Sequence, residues 1–128
     1  GQIVWVESDD MIDAVTALSG SGPAYVFRFI EALTQGAEQL GLTATQARQM
    51  ALATLAGATE LAAQSEEPPA TLRERVTSKG GTTAAALDVL QANGFQEAIV
   101  QAMRAAYERA GELSQSLGAD KDDIKTEH

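Results

Sequence analysis

A glycine-rich loop with hydroxyl side chains on both sides is the part of this sequence best suited to bind a small anion. The loop spans residues 76–83 (VTSKGGTT) and leads into an alanine- and leucine-rich segment, 84–90. Thr82 or Thr83 is a natural N-cap for a helix there, which would turn the helix's first backbone N–H groups toward the loop. Gly80 and Gly81 can adopt positive φ and allow a ligand close to the main chain. Because a helix N-terminus carries about +0.5 of an elementary charge, the pattern indicates a carboxylate or phosphate site.

The same residues also fit an ordinary turn between two helices. Gly-Gly and Thr-Thr pairs both occur in such turns, so spacing alone leaves both interpretations open. A Walker-type phosphate loop is excluded, because Lys79 precedes the glycines instead of following them.

Few other residues could do chemistry. Glu66 and Glu67 precede Pro68 and Pro69, and such a carboxylate pair suits acid/base chemistry or a metal, although adjacent acids before prolines are also typical of a solvated turn. The sequence has no cysteine, and its one histidine is His128. Disulfides, thiolate catalysis, histidine triads and Cys/His metal sites are therefore excluded, and no metal site is predicted.

Composition narrows the class of protein and its partners. The 128 residues fit one domain, and the formal net charge of -9 disfavours nucleic acid and anionic membranes as partners. No apolar run approaches the roughly 20 residues that span a bilayer, and the first residues do not resemble a signal peptide. We therefore expect a cytoplasmic protein.

Hydrophobic residues make up 45% of the chain but aromatic residues only 5%, so the core fills little volume. A second copy or another domain is expected to complete it.

Hydrophobic spacing predicts an all-α bundle of about five to six helices. A short strand is predicted at 2–6. The predicted helices span about 9–18, 24–40, 43–65, 70–77, 84–90 and 95–117. Ser8 offers an N-cap oxygen for the first helix, Thr43 starts the third, and Pro23 falls in the first turn of the second. Gly41 and Gly94 are predicted helix stops. The last helix carries a nearly heptad-spaced apolar stripe that predicts lengthwise packing on another long helix. The stripe consists of Phe95, Ile99, Met103, Ala106, Ala110, Leu113 and Leu117. Residues 118–128 are polar and aperiodic, which predicts a disordered tail.

Two motifs resemble one known family. Residues 13–25 (DAVTALSGSGPAY), and then residues 76–83 followed by Ala86 and Leu87, resemble the C-terminal domain of pyrroline-5-carboxylate reductase. The similarity covers about residues 1–117, and the two motifs stand in the family's order and spacing. Different residues occur at the Lys79 position in the family, so Lys79 is compatible with the match.

The resemblance implies a fold and an activity. Full members of the family have an N-terminal Rossmann domain that binds NADP or NAD, followed by a helical domain that forms an interlocked homodimer, and many assemble further. The enzyme transfers hydride to the C=N carbon of 1-pyrroline-5-carboxylate and forms L-proline, the last step of proline biosynthesis.

The resemblance also implies roles for particular residues. Ser78 and the N–H groups of Gly81, Thr82 and Thr83 would hold the substrate carboxylate, with Gly80 in the same loop. The Thr83 hydroxyl would lie near the ring nitrogen as the catalytic group. Glu66 would lie near the substrate ring, and Thr16 would face the nicotinamide.

The sequence departs from the family in one respect. No G-x-G-x-x-G motif follows a strand, and Gly20 and Gly22 follow a helix and lack the third glycine. We therefore expect residues 1–117 to form the helical domain without the Rossmann domain, and to be inactive in isolation. Two alternatives stay open: a stand-alone helical oligomerisation module, and a small-anion-binding module without redox activity.

Overall fold

The structure, a computed structural model, describes residues 8–126, and the side chains of residues 8–117. All regular structure in this range is helical, which confirms the all-α prediction. The elements are α1 Asp9–Val15, a π-helical turn Thr16–Gly20, α2 Gly22–Gln39, α3 Ala44–Gln64, α4 Pro69–Arg75, α5 Thr82–Ala92 and α6 Phe95–Thr126. None of these helices is both long and apolar enough to cross a membrane. The strand predicted at 2–6 lies outside the described residues.

Side-chain caps start two of the helices where the sequence predicts. The Ser8 hydroxyl accepts a hydrogen bond from the N–H of Met11 at 3.2 Å at the start of α1. At α3 the Thr43 hydroxyl accepts from the N–H of Gln46 at 3.1 Å, and the Gln46 side chain accepts from the N–H of Thr43 at 3.0 Å. This reciprocal pair is a capping box, which satisfies two backbone groups that the helix itself cannot.

Two glycines in the left-handed region separate helices where stops are predicted. Gly41 has φ 104° between α2 and α3, and Gly94 has φ 69° between α5 and α6. An L-residue with a Cβ would be strained at either position. Both predicted stops are confirmed.

The region after α1 differs from the prediction. The helical conformation does not end near Leu18 but continues to Gly20 as a π-helical turn, in which the N–H of Ser21 donates to the carbonyl of Thr16 at 2.9 Å. Helix α2 then begins at Gly22, with Pro23 in its first turn as predicted. A π-helical hydrogen bond spans five residues instead of the four of the α-helix that hydrophobic spacing assumes, so periodicity could not reveal it.

The last helix also extends beyond its predicted end. The backbone of α6 continues to Thr126, past Leu117, where the apolar stripe ends. After Gly118 the sequence contains no proline and no further glycine, so no residue in it breaks a helix. Disorder of residues 118–128 stays a prediction.

Within the described residues the chain divides into two compact units. The first comprises 8–25 and 96–126, and the second comprises 26–95. In the first unit Ala17 is 2% exposed; in the second, Ala47 is 1% and Ala51 6% exposed. The second unit also holds the Phe29 and Phe95 rings with centroids 6.2 Å apart. Among the described residues the buried core thus consists of alanines, which bring helices together but bury little apolar area.

Large apolar side chains on the described helices are correspondingly exposed. Phe27 is 64% exposed on α2, Leu61 65% on α3 and Val100 59% on α6. Exposed apolar surface on this scale is unusual for a monomeric soluble protein and marks an interaction surface. The prediction of a thin core that a second copy or another domain completes agrees with this exposure.

Removing the capping box should lower stability measurably. Thr43→Ala leaves the N–H of Gln46 without its acceptor, and we expect the free energy of unfolding to fall by about 1 kcal/mol. Urea denaturation at fixed protein concentration measures the loss. Thr59→Ala, an exposed change in the interior of α3, is the matched control and should be neutral or slightly stabilising. Equal effects of the two changes would contradict the cap.

The exposed apolar faces predict self-association. We expect the chain to sediment as a dimer or larger in analytical ultracentrifugation. Ile99→Lys, in the apolar stripe of α6, should weaken association by roughly tenfold or more, because burying an unpaired ammonium is costly. The nearby exposed change Gln101→Lys should leave association nearly unchanged. A stable folded monomer of the unsubstituted chain would contradict the prediction.

Candidate functional site

The glycine-rich loop forms a tight turn before α5. The N–H of Gly81 donates to the carbonyl of Ser78 at 3.0 Å, and Gly80 has φ 74° at the third position of the turn. A positive φ at this position is the mark of a type II turn and favours glycine. Gly81 itself is extended (φ -89°, ψ -175°), and a Cβ on it would lie 3.2 Å from the Ser78 carbonyl oxygen. Glycine is thus favoured at position 80 by the positive φ, and at position 81 by the closeness of the Ser78 carbonyl oxygen.

The helix after the loop starts earlier than predicted. The prediction that Thr82 or Thr83 is the N-cap is wrong: Gly81 is the N-cap, both threonines lie inside the helix, and no side chain makes the cap hydrogen bond. The turn from Ser78 to Gly81 already leaves Gly81 with the extended backbone that an N-cap residue adopts. Glycine is itself an acceptable N-cap residue. Because Gly81 has no side chain, the first N–H groups of α5 lack the intramolecular acceptor that Ser8 and Thr43 give α1 and α3.

Three backbone N–H groups are consequently available at the start of α5. The first N–H of the helix to reach an acceptor is that of Ala85, which donates to the carbonyl of Gly81 at 3.2 Å. Within residues 8–126 no acceptor is found for the N–H groups of Thr82, Thr83 and Ala84. These donors and the positive end of an 11-residue helix suit an anion.

The family resemblance implies the N–H groups of Gly81, Thr82 and Thr83 as donors, whereas the structure leaves those of Thr82, Thr83 and Ala84 available. The Gly81 N–H donates to the Ser78 carbonyl, whereas the Ala84 N–H, which the resemblance does not implicate, is available. Its availability follows from the general rule that the first N–H groups of a helix lack intrahelical partners, once the N-cap is placed at Gly81.

Hydroxyl groups surround these donors. Ser78 and Thr82 are exposed and Thr83 is half-buried, and over residues 8–117 none of the three hydroxyls has a hydrogen-bond partner. Each can therefore donate one hydrogen bond and accept others. The exposed Lys79 adds a cationic side chain to the same turn.

The two adjacent acids have different surroundings. Glu67 forms an ion pair with Arg75, with 3.1 Å between Oε1 and Nη2, while its N–H donates to the Ser65 hydroxyl. Glu66 is exposed, and its carboxylate has no partner among residues 8–117. Glu67 thus has a structural role in the turn before α4, and Glu66 keeps its carboxylate available.

Thr16 lies in the other compact unit, on the π-helical turn. It is exposed, and its hydroxyl donates to the carbonyl of Ile12 at 2.9 Å. The loop residues Ser78–Thr83 and Glu66 all belong to the second unit.

A metal centre and an apolar groove are the other kinds of site that the described residues could offer. No group of three His, Cys, Asp or Glu side chains in this part of the chain could hold a metal ion. An apolar groove of the first unit is lined by residues of α1 and α6, including Met11, Val100 and Met103. The groove offers few polar groups, whereas the loop offers several donors at a surface, so the loop is the better candidate for chemistry.

Comparisons with known proteins assign the family. Residues 9–113 match the family model described as pyrroline-5-carboxylate reductase dimerisation. The chain is 48% identical over 118 residues to a pyrroline-5-carboxylate reductase of Pseudomonas aeruginosa, covering 92% of this chain and 43% of that protein. It is 49% identical over 113 residues to one of Synechocystis sp., covering 88% of this chain and 42% of that protein.

Solved structures agree. A pyrroline-5-carboxylate reductase of Coxiella burnetii superposes with a TM-score of 0.85 at 46% identity, over 88% of this chain and 42% of that one. The Plasmodium falciparum pyrroline carboxylate reductase with NADP bound superposes with a TM-score of 0.80 at 34% identity, over 84% of this chain and 41% of that one.

The chain spans about two fifths of the length of the curated relatives it matches. With the family model matched over most of the described residues, the chain belongs to the pyrroline-5-carboxylate reductase dimerisation family.

Proposed function

We propose that this chain supplies the substrate carboxylate site and the homodimer interface of a cytoplasmic pyrroline-5-carboxylate reductase. The proposed reaction reduces 1-pyrroline-5-carboxylate to L-proline with NADPH or NADH. The observation that carries the proposal is the start of α5, where the N–H groups of Thr82, Thr83 and Ala84 have no acceptor in the described chain.

The geometry of this helix start suits a carboxylate. Each oxygen of the anion can accept from one or two N–H groups, and the Ser78 hydroxyl can donate a further hydrogen bond. The partial positive charge at the helix terminus adds to these bonds without a basic residue. The carboxylate so bound would fix one end of the five-membered ring, which is the positioning that hydride transfer requires.

The remaining polar groups fit the rest of the ring. When bound, the cofactor supplies a hydride for the C=N carbon, the electron pair of the C=N π bond moves to nitrogen, and the nitrogen ends as an amine. The half-buried Thr83 hydroxyl would hold a hydrogen bond to the ring nitrogen. The unpaired Glu66 carboxylate would favour the protonated imine, because a nearby negative charge stabilises a cation.

Thr16 provides the contact proposed for the cofactor. Its hydroxyl proton is directed to the carbonyl of Ile12, so its oxygen keeps lone pairs for an N–H donor such as a nicotinamide carboxamide. The described residues form helices and no strand–glycine–helix unit that could hold a dinucleotide pyrophosphate. These residues therefore fit the nicotinamide end of NADP or NAD, and the rest of the cofactor needs another domain.

The exposed apolar side chains of α2, α3 and α6 support a homodimer or higher homo-oligomer as the working assembly. The net charge of -9 makes nucleic acid and anionic membranes poor partners, and no such partner is proposed.

The proposed function is tested by joining this chain to the cofactor domain of a pyrroline-5-carboxylate reductase. We expect imine-dependent oxidation of NADPH or NADH by the joined protein and none by the 128-residue chain, because its described residues form no site for most of the cofactor. Crystals soaked in L-proline should show its carboxylate at the N–H groups of Thr82, Thr83 and Ala84. An anion bound there without imine reduction by the joined protein would favour a small-anion-binding module and contradict the proposal.

Thr83→Ala should separate catalysis from folding. Removing the hydroxyl should lower kcat/KM for the imine by roughly tenfold to a hundredfold, the range expected for a lost hydrogen bond to a charged group. Circular dichroism and oligomeric state should not change. Thr45→Ala is the matched control, because Thr45 is the second residue of α3 as Thr83 is the second residue of α5. Unchanged kinetics for Thr83→Ala would remove the proposed role.

A further inference from the structure

The π-helical turn at Thr16–Gly20 leaves one buried carbonyl without its regular partner. In an α-helix the N–H of residue 21 donates to the carbonyl of residue 17. Here the N–H of Ser21 donates instead to the carbonyl of Thr16, at 2.9 Å. The carbonyl of Ala17, a residue only 2% exposed, therefore loses the donor that an α-helix would give it. An unpaired carbonyl at a buried position is costly.

A side chain of the next helix replaces that donor. The hydroxyl of Tyr25, in the first part of α2, donates to the Ala17 carbonyl at 2.7 Å. Tyr25 is half-buried, and the hydrogen bond is short and partly shielded from water. Both residues belong to the first compact unit.

The register of the turn determines where Thr16 points. If the Ser21 N–H moved to the Ala17 carbonyl, the slip of one residue would rotate the segment before it by about 100° relative to the start of α2. The Thr16 hydroxyl would turn with it. Isolated π-helical turns are rare and are often found at functional sites.

We propose that Tyr25 is a positioning residue, whose hydroxyl holds the Thr16–Gly20 turn in its π register and thereby sets the direction in which Thr16 presents its side chain. The consequence for the cofactor rests on the proposed function, in which Thr16 contacts the nicotinamide. The bond between Tyr25 and Ala17 stands independently of that function.

The structural part is tested with Tyr25→Phe in the 128-residue chain. The change removes one oxygen atom and keeps the ring, so the helical content and oligomeric state should persist. In a crystal structure of the variant we expect the Ser21 N–H to donate to the Ala17 carbonyl, converting the turn to α-helix. Persistence of the π register in the variant would overturn the proposal.

The kinetic part uses the same substitution in the chain joined to a cofactor domain. We expect the KM for NADPH or NADH to rise about threefold to tenfold, which corresponds to one hydrogen bond, while the KM for the imine stays within about twofold. A residue that only stabilised the fold would lower the melting temperature without separating the two KM values. An unchanged cofactor KM, or equal changes in both, would overturn the positioning role.

Tyr107→Phe is the matched control. Tyr107 is also half-buried in the first unit, but its hydroxyl has no hydrogen-bond partner among residues 8–117. We expect its cofactor KM to equal that of the unsubstituted protein, and a rise as large as that of Tyr25→Phe would overturn the specific role of the Tyr25 bond. If the unsubstituted joined protein reduces no imine, the proposed function fails, and the crystal structure of Tyr25→Phe still decides whether the hydroxyl holds the turn.

Discussion

Every helix begins with backbone N–H groups that have no partner within it, and this constraint explains the most informative part of the structure. The Ser8 hydroxyl and the Thr43 capping box satisfy part of this need at α1 and α3. Helix α4 begins with Pro69, which has no N–H to satisfy. Helix α5 begins after the N-cap Gly81, with no side-chain cap and three N–H groups in need of an acceptor. The candidate anion site thus exists because no side chain caps α5, whereas side chains cap α1 and α3.

Local signals in the sequence predicted most of the fold. Hydroxyl residues before apolar periodic segments indicated the starts of α1 and α3, and Gly41 and Gly94 indicated stops, because such effects act within a few residues. The start of α5 was placed one or two residues too late. Gly81, Thr82 and Thr83 can each serve as an N-cap, and the choice depends on the turn from Ser78 to Gly81, whose dihedral angles no residue type dictates.

The parts that could not be predicted depend on contacts between separated residues. The π register after α1 coincides with a hydrogen bond from Tyr25 to Ala17, eight positions apart. Hydrophobic spacing assumes a constant number of residues per turn, so it placed the end of the helix near Leu18 and did not indicate the π-helical turn. In the same way, the sequence does not distinguish the adjacent acids Glu66 and Glu67. Their surroundings differ because Arg75, at the far end of α4, forms an ion pair with Glu67. The residues proposed to contact imine and cofactor come from the family resemblance, because local propensity and spacing do not identify a substrate.

The alanine core has a consequence for how the chain acquires its structure. Ala47 and Ala51 are the residues most deeply buried in the second unit, and an alanine side chain contributes little apolar area on burial. Part of the free energy that offsets the loss of chain entropy then comes from apolar surfaces that are covered when copies associate. Folding and assembly are then coupled in one equilibrium. Diluting this protein therefore lowers its stability, as adding a denaturant lowers the stability of a monomer.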